Sequence, residues 1–336
     1  MFIKRLLLVL LTLVTLAACE TKDTTTSTND TGGENKSMQT GIIGGRTGGA
    51  WSVFTEGIAE SIRRNHPTSV ITVEPGGIVE NPPTVGTNTI PYGISYTMTA
   101  YSAYRGEKPY DQAYKDIRAV SVVIPANYYQ LVAREELKYD SLEEIIEHKA
   151  PIHLAVDQKG SAGEIITRNF LKEHGVSYDD IIAWGGSVDH FSGAKAFELM
   201  ADNRIDMTGD AVSVPSSDII QAKTMIDLKM LTLKKDTSKA VADQLGMLSG
   251  TIEASSYDFQ NKNINTVNTP AILLVHKDVP EEEVYKVTKA IYENLDYLRT
   301  VHEEFKNLSD ENMMNVGKVP LHPGAKKFFK EKRITE

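Results

Sequence analysis

Short apolar runs alternate with amphipathic helical segments along most of this chain, and this alternation constrains the fold more than any other feature. Val70–Val73 has the β-branched residues typical of a strand. Residues 50–64 place Phe54, Ile58 and Ile62 on one helical face. Strands that alternate with helices predict an α/β fold with mostly parallel sheets. The same pattern predicts further strands at 40–43, 117–124, 128–133, 152–156, 204–207 and 271–275, and helices beginning at 161 and spanning 189–201 and 280–298.

The first residues, MFIKRLLLVLLTLVTLAAC, have the features of an export signal. Two cations, Lys4 and Arg5, precede an apolar stretch that is too short to span a bilayer comfortably. Small residues then lead to Cys19, as in a bacterial lipobox. We therefore expect a signal peptide over residues 1–18 and a diacylated Cys19 that anchors an extracytoplasmic protein to the bacterial membrane. An ordinary cleaved signal with an incidental cysteine is the alternative.

Cys19 is the only cysteine among the 336 residues. With a lipid attached there, the folded part has no thiol for a disulfide, a metal ligand or a nucleophile. Residues 19–38 are rich in Thr, Ser, Asn, Asp and Gly and contain almost nothing apolar, which predicts a disordered tether. The remaining part, about 300 residues, exceeds the size at which one core keeps growing, so two lobes are expected.

The composition argues against nucleic-acid binding and against a transmembrane domain. The formal net charge is −9 and no basic stripe is present, which disfavours nucleic-acid binding. No long apolar run follows Cys19, which excludes a transmembrane domain.

Glycine-rich segments lie where the predicted strands end and helices begin. In open α/β sheets, ligands bind at these carboxyl ends, close to helix N-termini. The segment GGRTGGAWS, residues 44–52, would let the backbone approach an anion, with free N–H groups of the first helical turn facing it. It lacks the lysine of a phosphate-binding P-loop and the Gly-x-Gly-x-x-Gly spacing, so a nucleotide is not indicated.

Comparable loops occur at five further positions, and each has a simpler interpretation as turn chemistry. Ser161 with Glu164, for example, is also the pattern of a helix-capping box. Six such loops in one chain nevertheless favour a cleft between lobes. The five loops are 74–77, 96–99, 157–164, 185–187 and 209–212.

Motifs of catalysis and metal binding are absent from the sequence. There is no Gly-x-Ser-x-Gly elbow and no His-Glu-x-x-His helix, and the eight histidines are scattered. His190 follows a glycine loop and is either a ligand contact or a surface or capping residue. We expect no enzyme, no cofactor and no metal.

Several segments, in order, resemble the TAXI branch of TRAP-transporter solute-binding proteins. The most specific are Gly76-Gly77-Ile78-Val79-Glu80-Asn81 and Pro320-Leu321-His322-Pro323-Gly324-Ala325. The similarity covers residues 40–330. The other matching segments are 47–51, 100–106, 160–164, 204–206 and 268–275.

The resemblance implies a two-lobed periplasmic-binding-protein-like fold of type II, with a mostly parallel sheet flanked by helices in each lobe. The chain would cross between lobes near residue 137 and again within 235–250. Lobe 1 would then comprise residues 39–137 plus 250–336, and lobe 2 residues 138–249. Such proteins capture a small organic acid or amino acid, glutamate-like ligands and dicarboxylates included, and deliver it to an integral membrane permease driven by an ion gradient.

We expect the ligand to contact both lobes. Arg46 is either a partner of a ligand carboxylate or a solvated charge, Asp210 either receives an ammonium or caps a turn, and Trp51 either stacks on the ligand or packs between helices. A lipid-anchored sensor for a receptor kinase, with the same clamp, is the main alternative, and an extracellular enzyme ranks last. The candidate ligand-binding residues are Thr47, Gly48, Gly49, Ala50, Trp51, Ser52, Gly77, Asn81, Tyr96, Thr97, Ser161, Ala162, Gly163, Glu164, Asp210 and Ala211.

Overall fold

The computed structural model describes residues 37–125, 127–191 and 193–334. The signal peptide expected over residues 1–18, the lipidation of Cys19 and most of the tether expected over residues 19–38 lie outside the described residues. Met38, at the end of that expected tether, is buried and its N–H donates to the Ser69 hydroxyl at 2.9 Å. The fold therefore includes Met38.

Twelve strands and twelve α-helices are present in the described part of the chain. The strands are β1 (Gln39–Ile43), β2 (Val70–Glu74), β3 (Tyr92–Tyr96), β4 (Ile117–Ile124), β5 (Tyr128–Arg134), β6 (His153–Val156), β7 (Ser187–His190), β8 (Met207–Val212), β9 (Leu228–Met230), β10 (Leu248–Ile252), β11 (Ile264–Asn268) and β12 (Ala271–His276). The helices are α1 (Ala50–Asn65), α2 (Asn81–Gly86), α3 (Thr97–Arg105), α4 (Leu142–Glu147), α5 (Ala162–Glu173), α6 (Tyr178–Ala183), α7 (Gly193–Ala201), α8 (Ser217–Lys223), α9 (Lys235–Leu245), α10 (Glu281–Glu293), α11 (Leu295–Val301) and α12 (Pro323–Lys332). Two 3₁₀ helices follow α11, at Glu303–Phe305 and Asp310–Asn312.

The strands form two mixed sheets. The first has the order β2-β1-β3-β12-β4, with β1 parallel to β2 and β3 and with β12 antiparallel to both of its neighbours. The second has the order β10-β11-β5-β8-β6-β7, with β9 also paired to β5. In this sheet β6 is parallel to β7 and β8, whereas β5 runs antiparallel to β8 and β11. The α/β class with two helix-flanked sheets is confirmed, and antiparallel pairs complete both sheets.

The chain changes sheet between Ile124 and Tyr128 and again between Asn268 and Ala271. These positions differ from the crossings expected near residue 137 and within 235–250, because β5, β10 and β11 all belong to the second sheet. The two crossings are joined by Asn268, whose side chain accepts from the Asn127 N–H and donates to the Pro125 carbonyl, both at 2.9 Å. We call the part built on the first sheet the first lobe, and the part built on the second sheet the second lobe.

Each lobe has its own buried core. In the first lobe, α1, α10 and α12 cover the sheet with Phe54, Ile291 and Phe328. In the second lobe, α5 and α9 cover one face, while Phe197 of α7 and Ile219 of α8 cover the other. Burial on both faces explains why β4 and β12 consist almost entirely of apolar residues.

Three predicted elements differ from the structure. The helix expected over residues 189–201 is preceded by β7, a polar strand at the edge of its sheet, so α7 begins only at Gly193. The strand expected at 204–207 begins at Met207 instead and continues to Val212. The long helix expected over 280–298 is interrupted at Asn294, whose side chain donates to Asn65 Oδ1 and to the Ala290 carbonyl, both at 2.8 Å.

Candidate functional site

The loop between β1 and α1 exposes an uncapped helix N-terminus. Gly49 is the N-cap and has no side chain to satisfy the first N–H groups of α1, and the first turn contains no acidic residue. Gly48 has φ of +83°, a left-handed conformation that favours glycine. Gly45 approaches Trp51 so closely that an added Cβ would lie 2.3 Å from the Trp51 Cβ. The glycines therefore permit a tight turn that leaves the helix end open.

Asn81 fixes the neighbouring loop, which follows β2. It is fully buried, and its Nδ2 donates to the carbonyls of Gly44 at 2.8 Å and Ile94 at 2.7 Å. Its Oδ1 accepts from the Gly77 N–H at 2.9 Å. Asn81 was predicted to contact a ligand, and in the structure its amide forms hydrogen bonds inside the protein. The Gly77 N–H is likewise occupied.

The loop after β6 is closed by a helix cap. Ser161 is the N-cap of α5 and accepts from the Glu164 N–H at 3.2 Å. The Glu164 carboxylate is almost fully buried and accepts from the Gly160 N–H at 3.2 Å and from Arg168 Nε at 2.9 Å. The predicted cap at Ser161 is confirmed. Glu164 was predicted to contact a ligand, and in the structure its carboxylate has these partners within the protein.

These three loops line one cavity of about 460 Å³, which we call the cleft. Both lobes contribute to it, since two loops follow strands of the first sheet and the third follows β6 of the second. Arg46 and Lys159 are the two cations in its lining, and both are exposed. Among the described residues that line the cleft, Glu80 is the one carboxylate. The cleft is lined by Gly45, Arg46, Gly49, Ala50, Trp51, Gly76, Gly77, Ile78, Val79, Glu80, Gln158, Lys159, Gly160 and Ser161.

Two aromatic rings, one of them in the lining of the cleft, are in contact with each other. Trp51 lies edge-on to Tyr96, with 4.9 Å between the ring centroids. Tyr96 packs against the cores of both lobes. Burial raises the pKa of the Tyr96 hydroxyl, and the nearby carboxylates Glu304, Asp210 and Asp157 raise it further. Trp51 thus packs on protein, and the Tyr96 hydroxyl stays protonated beside a group of acids.

Asp210 is in β8, next to the start of α5 and close to the end of β6. Burial and then the charge of Asp157 raise the pKa of the Asp210 carboxyl to about 7, and Asp218 contributes in the same direction. The Ala211 N–H donates to its Oδ1 at 2.7 Å and partly offsets this rise. A Cβ on Gly163 would lie 2.6 Å from the same oxygen, so glycine is required for the close approach. The carboxylate is therefore in an environment that favours a cationic neighbour.

The structure brings together only part of the predicted site. Gly49, Ala50, Trp51, Gly77 and Ser161 line the cleft. Thr47 and Gly48 are exposed beside it, and the Ser52 hydroxyl donates to the Gly49 carbonyl at 2.7 Å.

Other predicted residues face the protein interior. Thr97 is fully buried, with its Oγ1 3.1 Å from Thr269 Oγ1 at the crossing between lobes. Ala162 and Ala211 are buried in the core of the second lobe. These three residues were predicted to contact a ligand, and in the structure they are buried.

Several lining residues were not selected from the sequence. Ile78, Val79 and Glu80 stand in the same motif as Gly77, and Gln158 and Lys159 stand in the loop before Ser161, so proximity along the chain was an available signal. Nothing in the sequence pattern marked Glu304, which is distant along the chain from the other acids near Tyr96.

Residues 37–125, 127–191 and 193–334 contain neither a candidate metal cluster nor a candidate membrane-spanning helix. No group of three or more His, Cys, Asp or Glu side chains in these ranges is placed to hold a metal ion. None of their helices is both long enough and apolar enough to span a bilayer.

Two α/β lobes joined by two crossings, with a cleft lined by loops of both, define a two-lobed binding-protein fold. The sequence profile of the NMT1-like family matches residues 42–332, and the chain therefore belongs to the NMT1-like family.

Solved structures with a similar fold come from several bacteria. XAC2383 from Xanthomonas citri, bound to ATP, is 10% identical with a TM-score of 0.50, over 89% of this chain and 98% of that chain. A TctC solute-binding protein from Polaromonas is 14% identical with a TM-score of 0.49, over 82% and 88%. MatC from Rhodopseudomonas palustris, with bound malate, is 13% identical with a TM-score of 0.45, over 82% and 90%. At 10% identity, the similarity to XAC2383 shows a shared fold and does not identify a ligand.

Proposed function

We propose that this protein is the extracytoplasmic solute-binding receptor of a TAXI-type TRAP transporter. It captures a small organic acid or amino acid between its lobes and delivers it to an ion-gradient-driven permease. The observation that carries this proposal is the cleft of about 460 Å³, which three loops from both lobes line together. This volume lies within the range of small-molecule sites, roughly 300–1,000 Å³.

The end of the cleft at α1 suits an anionic group. The uncapped N–H groups after Gly49 carry the partial positive charge of the helix dipole. Arg46 and Lys159 approach the same cavity from different lobes. A carboxylate placed there would receive hydrogen bonds from the main chain and charge from two side chains. Each such charge-assisted hydrogen bond contributes about 1.5–3 kcal/mol.

Asp210 lines a separate small cavity and lies near enough to Tyr96 to affect its pKa, and this carboxylate favours a ligand with a cationic second group. The charge of Asp157 raises the pKa of the Asp210 carboxyl, and an ammonium group beside Asp210 would offset this effect. An amino acid supplies both a carboxylate and an ammonium, whereas a dicarboxylate would place a second negative charge near Asp210. Among the expected ligands, we therefore favour an amino acid.

Ligand binding would shift the lobes towards a closed state because both lobes contact the same molecule. Binding in the micromolar range, about −8 kcal/mol, would allow both capture and release. The protein acts as a carrier without catalysing a reaction, and a lipid on Cys19 would keep it at the membrane near the permease. The comparisons do not favour the alternative role as a kinase-coupled sensor.

A ligand panel with charge variants tests this function. Isothermal titration against amino acids, dicarboxylates and keto acids should give saturable binding for at least one compound. The double variant Arg46→Ala/Lys159→Ala should weaken that binding by at least about tenfold, the loss of roughly one charge-assisted hydrogen bond. The matched control Arg204→Ala removes an exposed cation elsewhere and should leave the affinity unchanged. Absence of heat with every compound, or equal losses in both variants, would contradict the proposal.

A further inference from the structure

A second cavity, of about 330 Å³, lies between the lobes at the crossings, and none of the described residues that line it also lines the cleft. We call it the rear groove. On the side of the first lobe, Asn307, Asn312 and Asn315 line it. On the side of the second lobe, Tyr128, Thr251 and Ser256 line it.

The rear groove and the cleft lie on opposite sides of the two crossings. In the first sheet, the cleft is next to β1 and β2, while the rear groove is next to β4 at the other edge. In the second sheet, the cleft is next to β6, and the rear groove is next to β10 at the opposite edge. Pro125 and Pro270, one from each crossing, form part of the rear groove itself. Rotation of the lobes about the crossings that narrows the cleft therefore widens the rear groove.

The chemistry of the rear groove differs from that of the cleft. Among the described residues that line it there is no Lys, Arg or His, and Glu253 provides one carboxylate. An anion would therefore meet repulsion without a compensating cation. The remaining polar groups are amides and hydroxyls, which can both donate and accept hydrogen bonds. This combination suits a neutral molecule with several hydroxyl groups.

Tyr128 gives the rear groove a fixed aromatic wall. Its ring lies against Gly250 of β10, where an added Cβ would be 2.7 Å from Tyr128 Cε1. Burial raises the pKa of the Tyr128 hydroxyl, as does the charge of Glu253, so this hydroxyl remains a donor at neutral pH. An apolar ring face with polar groups around it can contact the carbon face of a sugar while the amides bind its hydroxyls.

We propose that the rear groove is a second ligand site for a neutral polyhydroxylated molecule the size of a monosaccharide. A molecule that contacts both walls holds them at their present separation, and so it opposes closure of the cleft. This coupling rests on the proposed function of the cleft, whereas binding to the rear groove does not.

Binding is tested on the full chain with no ligand in the cleft. Ligand-observed NMR with D-glucose and with myo-inositol at millimolar concentration should show saturable binding of at least one probe. Asn315→Ala and Thr251→Ala should each weaken it about fivefold, as expected for a lost hydrogen bond. The control Asn261→Ala, at an exposed position outside the groove, should have no effect. The proposed site would be overturned if neither probe binds, or if binding keeps its full strength in both groove variants.

Coupling is tested with bulky side chains in the rear groove. Thr251→Trp and Ser256→Trp should hold the rear walls apart and favour closure, tightening the amino acid bound in the cleft by about fivefold. The sugar-like probe should weaken that amino acid by a similar factor, because coupling is reciprocal. Unchanged affinity in both tryptophan variants, with the thermal midpoint retained, would overturn the coupling. If the cleft binds no amino acid, the NMR result still decides whether the rear groove is a site.

Discussion

Replacement of Asn81 by alanine tests how the two loops of the first lobe are held together. In the native protein, Nδ2 donates to the Gly44 and Ile94 carbonyls and Oδ1 accepts from the Gly77 N–H, at distances of 2.7–2.9 Å. All three bonds are lost in Asn81→Ala, and two of the partners, the Gly44 and Ile94 carbonyls, belong to buried residues. At about 1 kcal/mol for each bond, the free energy of unfolding should fall by roughly 3 kcal/mol.

The measurement is urea unfolding followed by fluorescence. Of the two tryptophans, Trp51 is in the first lobe and Trp184 in the second, so a Trp184→Phe background makes Trp51 report on the first lobe alone. The control is Thr300→Ala in α11 of the same lobe, which removes one exposed bond, to the Tyr297 carbonyl at 2.7 Å, and should cost less than about 1 kcal/mol. A loss below about 1 kcal/mol for Asn81→Ala, or one equal to that of the control, would refute the assigned role.

The remaining predictions concern backbone strain, charge and close packing. Gly48→Ala places a Cβ on a residue with φ of +83° and should cost about 1 kcal/mol and weaken cleft binding. Gly175→Ala, at φ of +71° outside the cleft, should carry a similar stability cost and leave binding unchanged. Asp210→Asn should stabilise the protein at pH 8 relative to the wild type and not at pH 4, as measured by urea unfolding at both pH values. The reason is that folding raises the pKa of this carboxyl from 3.8 to about 7, so the carboxyl lowers the free energy of unfolding as the pH rises through that window. An equal difference in stability between Asp210→Asn and the wild type at both pH values would contradict this reasoning. Gly163→Ala would place a Cβ 2.6 Å from Asp210 Oδ1. It should lower the thermal midpoint and shift the pH dependence of stability assigned to Asp210. An unchanged pH dependence of stability would count against the contact between Gly163 and Asp210.

The sequence was most informative where burial and local pattern agree. The strand at Ile117–Ile124 was predicted with its observed bounds, because both faces are covered and the run is mostly apolar. The helix at Ala50–Asn65 was predicted nearly to its end from one apolar face. Ser161 was predicted as an N-cap, because its hydroxyl satisfies a local N–H group that any helix start leaves open.

Features that depend on contacts between residues far apart along the chain could not be predicted from the local sequence pattern. An apolar run at Tyr128–Arg134 predicts a strand and does not say which sheet it joins, so the first crossing was expected too late in the chain. Asn81 lies in a loop motif typical of ligand contact, and only the folded structure shows its bonds to Gly44 and Ile94. Asn294 ends α10 because its side chain bonds to Asn65 on α1, a contact that helical periodicity does not contain.

The position of the ligand is the decisive measurement for the clamp. A crystal structure of the protein with the amino acid selected by titration should place its carboxylate within hydrogen-bonding distance of the Ala50 or Trp51 N–H. The ammonium should face Asp210 or Asp157, so that groups from both lobes contact one molecule. A ligand that contacts a single lobe, or whose carboxylate lies away from the start of α1, would contradict the proposed mode of binding.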